Sequence, residues 1–156
     1  MTEVIEDFMP HMRHKTGLFK AKPYHLILTN ERLLFAQATK AIRKQAEQAL
    51  LDEVKGQGFK ARLGAVIRQH QFLSELYLAL TPEEILAQTP GNFAIPRPNL
   101  LKIRQQLGAT YDQQGHQNPK KITLHTTQGK YVFLGGHTQD GDRAYHALKR
   151  AIKADK

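Results

Sequence analysis

The chain has 156 residues, no cysteine and no tryptophan, with 23 Lys+Arg against 14 Asp+Glu for a formal net charge of +9. That length suits one domain with its own hydrophobic core, and the lack of cysteine excludes disulfides and thiolate metal sites and fits a reducing, cytoplasmic setting. No apolar run reaches the length of a transmembrane helix, and the acidic start, MTEVIEDFMPHM, has neither the basic n-region nor the apolar h-region of a signal peptide.

The positive charge is spread along the sequence, with a mild maximum over residues 38–80, where 7 basic residues stand against 4 acidic ones. A spread field attracts polyanions weakly and without specificity. A dedicated nucleic-acid site gathers its cations on one face, so nucleic acid is not the partner that this distribution leads one to expect.

In chain order, residues 3–11 read as a strand or a short helix that Pro10 ends, and Lys15 to Lys22 as an extended approach carrying Leu18 and Phe19. The stretch KPYHLILTNERLLFAQ, residues 22–37, then reads as a hairpin with Asn30-Glu31 at its tip. Its expected register sets Leu28 opposite Leu33, Ile27 opposite Leu34 and Leu26 opposite Phe35. Side chains alternate across a strand, so Tyr24, Leu26, Leu28, Leu33 and Phe35 share one apolar face. His25, Ile27, Thr29 and Leu34 form a second, partly apolar face, as in a strand pair that is also covered on its outside.

From Ala38 the period becomes helical. Ile42, Ala46, Ala49, Leu50 and Val54 mark one amphipathic helix. Phe59, Leu63, Val66, Ile67, His70, Leu73, Tyr77 and Leu80 mark a second, joined to the first at Gly56-Gln57-Gly58. Thr81-Pro82-Glu83-Glu84 predicts a short capped helix ending near Pro90-Gly91. Pro96 and Pro98 bracket a rigid step, followed by a strand with Leu101, Ile103, Gln105 and Leu107 at alternating positions. Residues 108–119 are a polar loop. KKITLHTTQGKYVFLGG reads as a second hairpin turning at Gln128-Gly129, with Ile122 opposite Gly135, Leu124 opposite Phe133 and Thr126 opposite Tyr131. A last helix, from Thr138 or Asp140 to Ala154, carries Tyr145, Leu148, Ala151 and Ile152 on its apolar face.

The segment YHLILTNERLLF resembles the strand-turn-strand signature of bacterial PH-like domains. In that signature an apolar strand ends in Leu-Thr, a short polar turn follows, and Arg-Leu-Leu/Ile-Phe begins the next strand. The likeness is good over residues 24–35, and the order of elements agrees over residues 1–37 and 91–156. The resemblance implies an α+β fold, a PH-like curled antiparallel sheet or barrel capped by a C-terminal helix. Residues 1–156 would then be a single such domain, with a helical insertion at about 38–90. It also implies a non-enzymatic binding module. The Trp that eukaryotic PH domains carry in the last helix is absent, and Tyr145 stands as its packing substitute.

Phosphoinositide-binding PH domains place a basic motif in their first strand-loop-strand. Lys15-x4-Lys20-x-Lys22 is loosely similar, with Lys22 where an Arg is usual and Arg13 nearby. These four residues, Arg13, Lys15, Lys20 and Lys22, are the candidate anion-binding set, reaching phosphate oxygens from one side of a strand. The plainer reading is an edge strand protected by lysine, and it is the favoured one. His11-x2-His14 is at best half of a metal site, since zinc takes three or four ligands. His25, His116, His125, His137 and His146 are scattered, and His70 reads as a core histidine. Gly135-Gly136 and Gly56-x-Gly58 lack the spacing of phosphate loops. The adjacent Glu83 and Glu84 serve a cap. Lys40, Arg43, Lys44, Lys55, Lys60, Arg62 and Arg68 read as the solvated side of the helical pair. No cofactor, metal or catalytic group is expected. A protein partner or a homo-oligomer is the favoured occupant, and a peripheral anionic membrane is the alternative.

Overall fold

The computed structural model describes residues 2–18, 20–53, 55–56, 58, 69–106, 121–135 and 138–154. Among them, seven strands form one antiparallel sheet: β1 (Ile5–Lys15), β2 (Ala21–Thr29), β3 (Arg32–Gln37), β4 (Phe93–Pro96), β5 (Leu100–Gln106), β6 (Lys121–Thr126) and β7 (Gly129–Gly135). Their spatial order is β4-β3-β2-β1-β7-β6-β5. The two edge strands, β4 and β5, are joined by one 3-10 turn at Arg97–Asn99. Opposite edges of a seven-stranded sheet lie that close in sequence only if the sheet curls back on itself. Helices α1 (Lys40–Glu53), α2 (Gln69–Leu78) and α3 (Pro82–Ala87) lie between β3 and β4, and α4 (Thr138–Ala154) follows β7. This is the α+β architecture that the PH-like resemblance implied, a curled antiparallel sheet with a helix after its last strand.

The β2–β3 hairpin has the expected register, with Leu26 opposite Phe35, Ile27 opposite Leu34 and Leu28 opposite Leu33. It is buried on both sides. Tyr24, Leu26, Leu28, Leu33 and Phe35 enter an inner core with Ile103, Ile122, Leu124 and Phe133, closed by Ala144, Leu148 and Ala151 of α4. Ile27, Leu34 and Ala36 point outward into a second core with Phe8, Ala46, Leu73, Tyr77 and Ile85. Buried His25 lies on this outer side, against the rings of Phe8 and Tyr77 at centroid distances of 5.4 and 5.5 Å, and those two rings stack on each other at 5.3 Å. Burial pushes the Tyr77 hydroxyl up to about 12.

Thr29 organises the turn. Its Oγ1 accepts the backbone N–H of Glu31 at 3.1 Å and of Arg32 at 2.9 Å, and its proton faces the Glu3 carboxylate at 2.6 Å. Arg32 grips the same carboxylate through two nitrogens, each at 2.8 Å, and reaches Glu83 as well. Burial pushes the Glu3 carboxyl up, but the Arg32 and Thr29 hydrogen bonds and the Arg32 charge outweigh it, and the net shift is down. Asn30 Oδ1 accepts from Val4 N at 2.7 Å. The Thr-Asn-Glu-Arg turn is thus pinned by the N-terminal segment.

Four expectations need correction. Pro10 does not end the first strand. Met9 pairs with Leu26 and Met12 with Tyr24, so Pro10 and His11 together face one residue of β2. A bulge of this kind accommodates a proline inside a strand, because the extra residue leaves the ladder. Lys15 to Lys22 is not one extended run. It is the end of β1, a turn in which Thr16 N and Gly17 N donate to Lys20 O, and the start of β2. The second hairpin turns one residue earlier than expected, with Thr126 opposite Gly129, Leu124 opposite Tyr131 and Ile122 opposite Phe133. Thr126 Oγ1 accepts from Gln128 N at 3.1 Å and donates to Gly129 O at 3.0 Å, and Gly129 takes a φ of 133° that only glycine adopts readily. Because each pairing moves by two residues, the inward set is unchanged. Finally, a register shift between Leu100 and Lys102 turns Leu100 and Ile103 inward and leaves Leu101 48% exposed.

The helical segment follows its sequence signals. Thr39 Oγ1 accepts from Ile42 N at 3.2 Å at the start of α1. Thr81 and Glu84 form the expected capping box, with Pro82 in the first turn of α3. Asn92 ties the return to the sheet. Its Oδ1 accepts from Gln37 N at 2.7 Å and its Nδ2 donates to Ile85 O at 2.7 Å. Gly91 beside it lies against the end of the Gln37 side chain, which would have to move aside for a Cβ. The expected second helix is described from Gln69 onward; its expected positions Phe59, Leu63, Val66 and Ile67 lie outside the described residues, as does the expected loop at 108–119.

The inner core is aromatic near the end of β1. The His14 ring packs against Tyr24, Tyr131 and Phe133 at 5.8, 5.8 and 5.2 Å, while Phe35 and Phe93 stack at 4.3 Å. Desolvation, and then the nearby Lys22 ammonium, hold the His14 pKa below the usual 6.5.

Two predictions follow from this packing. Leu33→Ala and Leu34→Ala, adjacent residues facing opposite cores, should each cost about 2–5 kcal/mol in urea unfolding. A negligible cost for Leu34→Ala would mean that the outer layer is not packed. Because the folded-state pKa of His14 lies below its unfolded value, its contribution is complete above about pH 6.5 and is lost as the pH falls through the folded value. Stability should therefore decline as the pH falls below about 6.5. His14→Phe should flatten the part of that decline which this imidazole causes.

Candidate functional site

The outer surface of the sheet is divided in two. Over β2 and β3 it is apolar and covered by the helices α1, α2 and α3. Over β5, β6, β7 and the end of β1 it faces solvent and carries cations. The register defines the rows of this second half. Lys102, His125 and Lys130 lie directly opposite one another across three strands. Arg104, Thr123 and Val132 form the next row, and Gln106, Lys121, Leu134 and Arg13 the third. Lys15 follows Arg13 on the same side of β1. The alternating residues Ile103, Ile122, Leu124 and Phe133 all point into the core.

Lys102, Arg104, Lys130, Arg13 and Lys15 are exposed, and Lys121 and His125 are half-buried. No Asp or Glu occurs in β5, β6 or β7. The two carboxylates nearest in sequence to Arg13 are Glu6 and Asp7, at the far end of β1. They are held by Arg97 at 3.1 Å and Arg143 at 2.8 Å. The crowding of cations leaves a trace on His125, whose pKa is lowered by desolvation and then by the charges of Lys130, Arg104 and Lys102.

The four residues singled out in the sequence divide between surfaces. Arg13 lies opposite Pro23 and Lys15 opposite Ala21, whereas Lys22 lies opposite His14, on the other side of the ribbon. Directly opposed residues share a face and successive residues alternate, so Arg13 and Lys15 join the basic face while Lys22 sits by the aromatic end of the inner core. Lys20 is exposed in the β1–β2 turn, near Leu18, which is 79% exposed. Sequence reading missed Lys102, Arg104, Lys121, His125 and Lys130. A usable signal was present: Lys102 and Arg104 alternate on β5, Lys121 and His125 share one side of β6, and neither strand contains an acidic residue.

Two other places were weighed. A cleft of about 370 Å³ between β1 and α4 is lined by Glu6, Asp7, Arg97 and Ala151, among others. Three of its charges meet partners within the chain: Asp7 pairs with Arg143, and Arg97 Nη1 donates to Glu6 Oε2 and, at 3.2 Å, to the Thr29 carbonyl. The cleft is therefore an anchored corner of the barrel. Among the described residues no group of three His, Asp or Glu is placed to hold a metal ion. His25 is packed in the outer core and His146 is exposed. The calls on His116 and His137, like those on Lys60, Arg62 and Arg68, lie outside the described residues. Lys40, Arg43, Lys44 and Lys55 are exposed.

No protein-family model matches the chain, and no curated protein matches it. Solved structures similar to it include the C-terminal domain of an unknown protein from Leishmania infantum, 14% identical, covering 96% of this chain and 84% of that one with a TM-score of 0.48. The Vps36 N-terminal PH domain is also similar, at 10% identity, covering 97% of this chain and 80% of that one with a TM-score of 0.47.

Proposed function

We propose that this chain is a non-enzymatic, cytoplasmic binding module for a protein partner, and that the partner docks at the edge of β5. One observation carries this reading. β5 ends the sheet, and among the described residues no strand pairs with its outer side. A strand at the end of a sheet offers backbone donors and acceptors to an extended segment of another protein. The bulge at Leu101 adds an exposed apolar side chain to the same strand.

A nuclease-treated pull-down at physiological salt, read by mass spectrometry, tests the proposal. Wild type should retain one stoichiometric protein. Leu101→Asp should lose most of it, at least about tenfold, as expected for an anchor at the centre of a contact, while keeping the wild-type melting temperature. An empty pull-down, or capture indifferent to Leu101→Asp, overturns the assignment to β5.

A further inference from the structure

We propose that the cleft between β1 and α4 binds a small zwitterion with a short apolar body, of the class of the free α-amino acids, with its ammonium at Glu6 and its carboxylate at Arg150. This goes beyond the protein-partner reading and does not depend on β5.

The cleft encloses about 370 Å³, within the range of small-molecule sites and near its lower end. Its walls carry four charges: Glu6 and Asp7 from β1, Arg97 from the turn between β4 and β5, and Arg150 from α4. Ion pairs fix three of them in place. Arg97 holds Glu6 at 3.1 Å, and Arg143 holds Asp7 at 2.8 Å. Asp7 also accepts the Phe8 N–H at 2.8 Å. Groups oriented in advance lose little freedom when a ligand arrives. The Glu6 side chain keeps 46% of its surface exposed, so the carboxylate still has room for a second donor. Arg150 is exposed, and among the described residues no carboxylate pairs with it, although Glu6 and Asp7 line the same cleft. The floor is apolar, formed by buried Leu28, Ala147 and Ala151.

Both signs of charge in so small a space select the ligand. A simple cation would face Arg97 and Arg150. An inorganic anion or a phosphate ester would face Glu6 and Asp7. A molecule with one charge of each sign satisfies both walls, through the charge-assisted hydrogen bonds that are the strong ones. A peptide end supplies one of the two charges, whereas a free amino acid supplies both. Its side chain would cover the floor and remove apolar surface from water. The lining includes no aromatic ring on which a base could stack.

The test uses the full 15N-labelled chain, with amide chemical shifts as the readout. The probes are L-valine, isovalerate, which lacks the ammonium, and isobutylamine, which lacks the carboxylate. Valine should shift the amides of Phe8, Ala147 and Ala151 saturably. Isovalerate and isobutylamine should each bind at least about tenfold more weakly, the loss expected when one charged hydrogen-bonding group is missing. Arg150→Gln should weaken valine binding by a similar factor, and Lys149→Gln, its neighbour outside the cleft, should change it less than about twofold. Ala154→Leu, at an exposed lining position, should weaken valine binding by filling the space while leaving the core amides unshifted. No saturable shift, shifts away from the cleft, or equal losses in Arg150→Gln and Lys149→Gln overturn the proposal. Isovalerate or isobutylamine binding as tightly as valine also overturns it, since one charge would then suffice. Tighter binding of N-acetyl-glycyl-valine overturns it in favour of a chain terminus.

Discussion

The constraint on which the rest of the structure depends is the double burial of the β2–β3 hairpin. Six consecutive residues of β2, Tyr24 to Thr29, are buried, and so are four of β3, Leu33 to Ala36. A strand pair with both faces out of water needs two separate layers to cover it. The curled sheet and α4 supply one, and the helices between β3 and β4 supply the other. The hairpin tip cannot slip, because Thr29, Asn30 and Arg32 are each bonded to the N-terminal segment. A one-residue slip would exchange the inner and outer side chains throughout.

Arg97 carries that constraint to the far side of the barrel. It sits in the turn between the two edge strands. Its backbone N–H donates to Glu31 O at 2.9 Å, and its guanidinium donates to Thr29 O and Glu6. The junction of β4 and β5 is thereby tied to the β2–β3 turn. A buried guanidinium is tolerated here because a carbonyl and a carboxylate meet it. The curl of the sheet, the position of β5 as an edge, and the orientation of the face behind it depend on this corner.

The division of the outer surface is where fold and function meet. Sheet faces that must be covered are apolar, and the helices cover them. Among the described residues no helix covers the remaining half, and its outward positions carry Lys, Arg, His, Gln and Thr, with Val132 and Leu134 half-buried among them. Lysine and arginine on an edge strand discourage self-association.

Much of this was legible in the residues. The alternation in KPYHLILTNERLLFAQ determined both faces of the hairpin and its register. Thr81, Pro82 and Glu84 determined a capped helix, and the spacing of Leu148, Ala151 and Ile152 determined the buried side of α4, although Tyr145, expected on that face, is only half-buried. These are local patterns, set by the periods of strand and helix. The misses were also local in kind. A proline signals a break, but a bulge absorbs Pro10, and the Thr126 hydroxyl moved a turn by one residue. What only the tertiary structure decided was which distant residues became neighbours. Counted along the chain, the cations are spread. Counted across the strands, Arg13, Lys102, Arg104, Lys121 and Lys130 fall on one surface, and Lys15 is separated from Lys22. Pairing between strands made that difference, from the β1–β2 register to the β1–β7 contact more than a hundred residues apart in sequence, and the period of one segment alone does not record which strands meet.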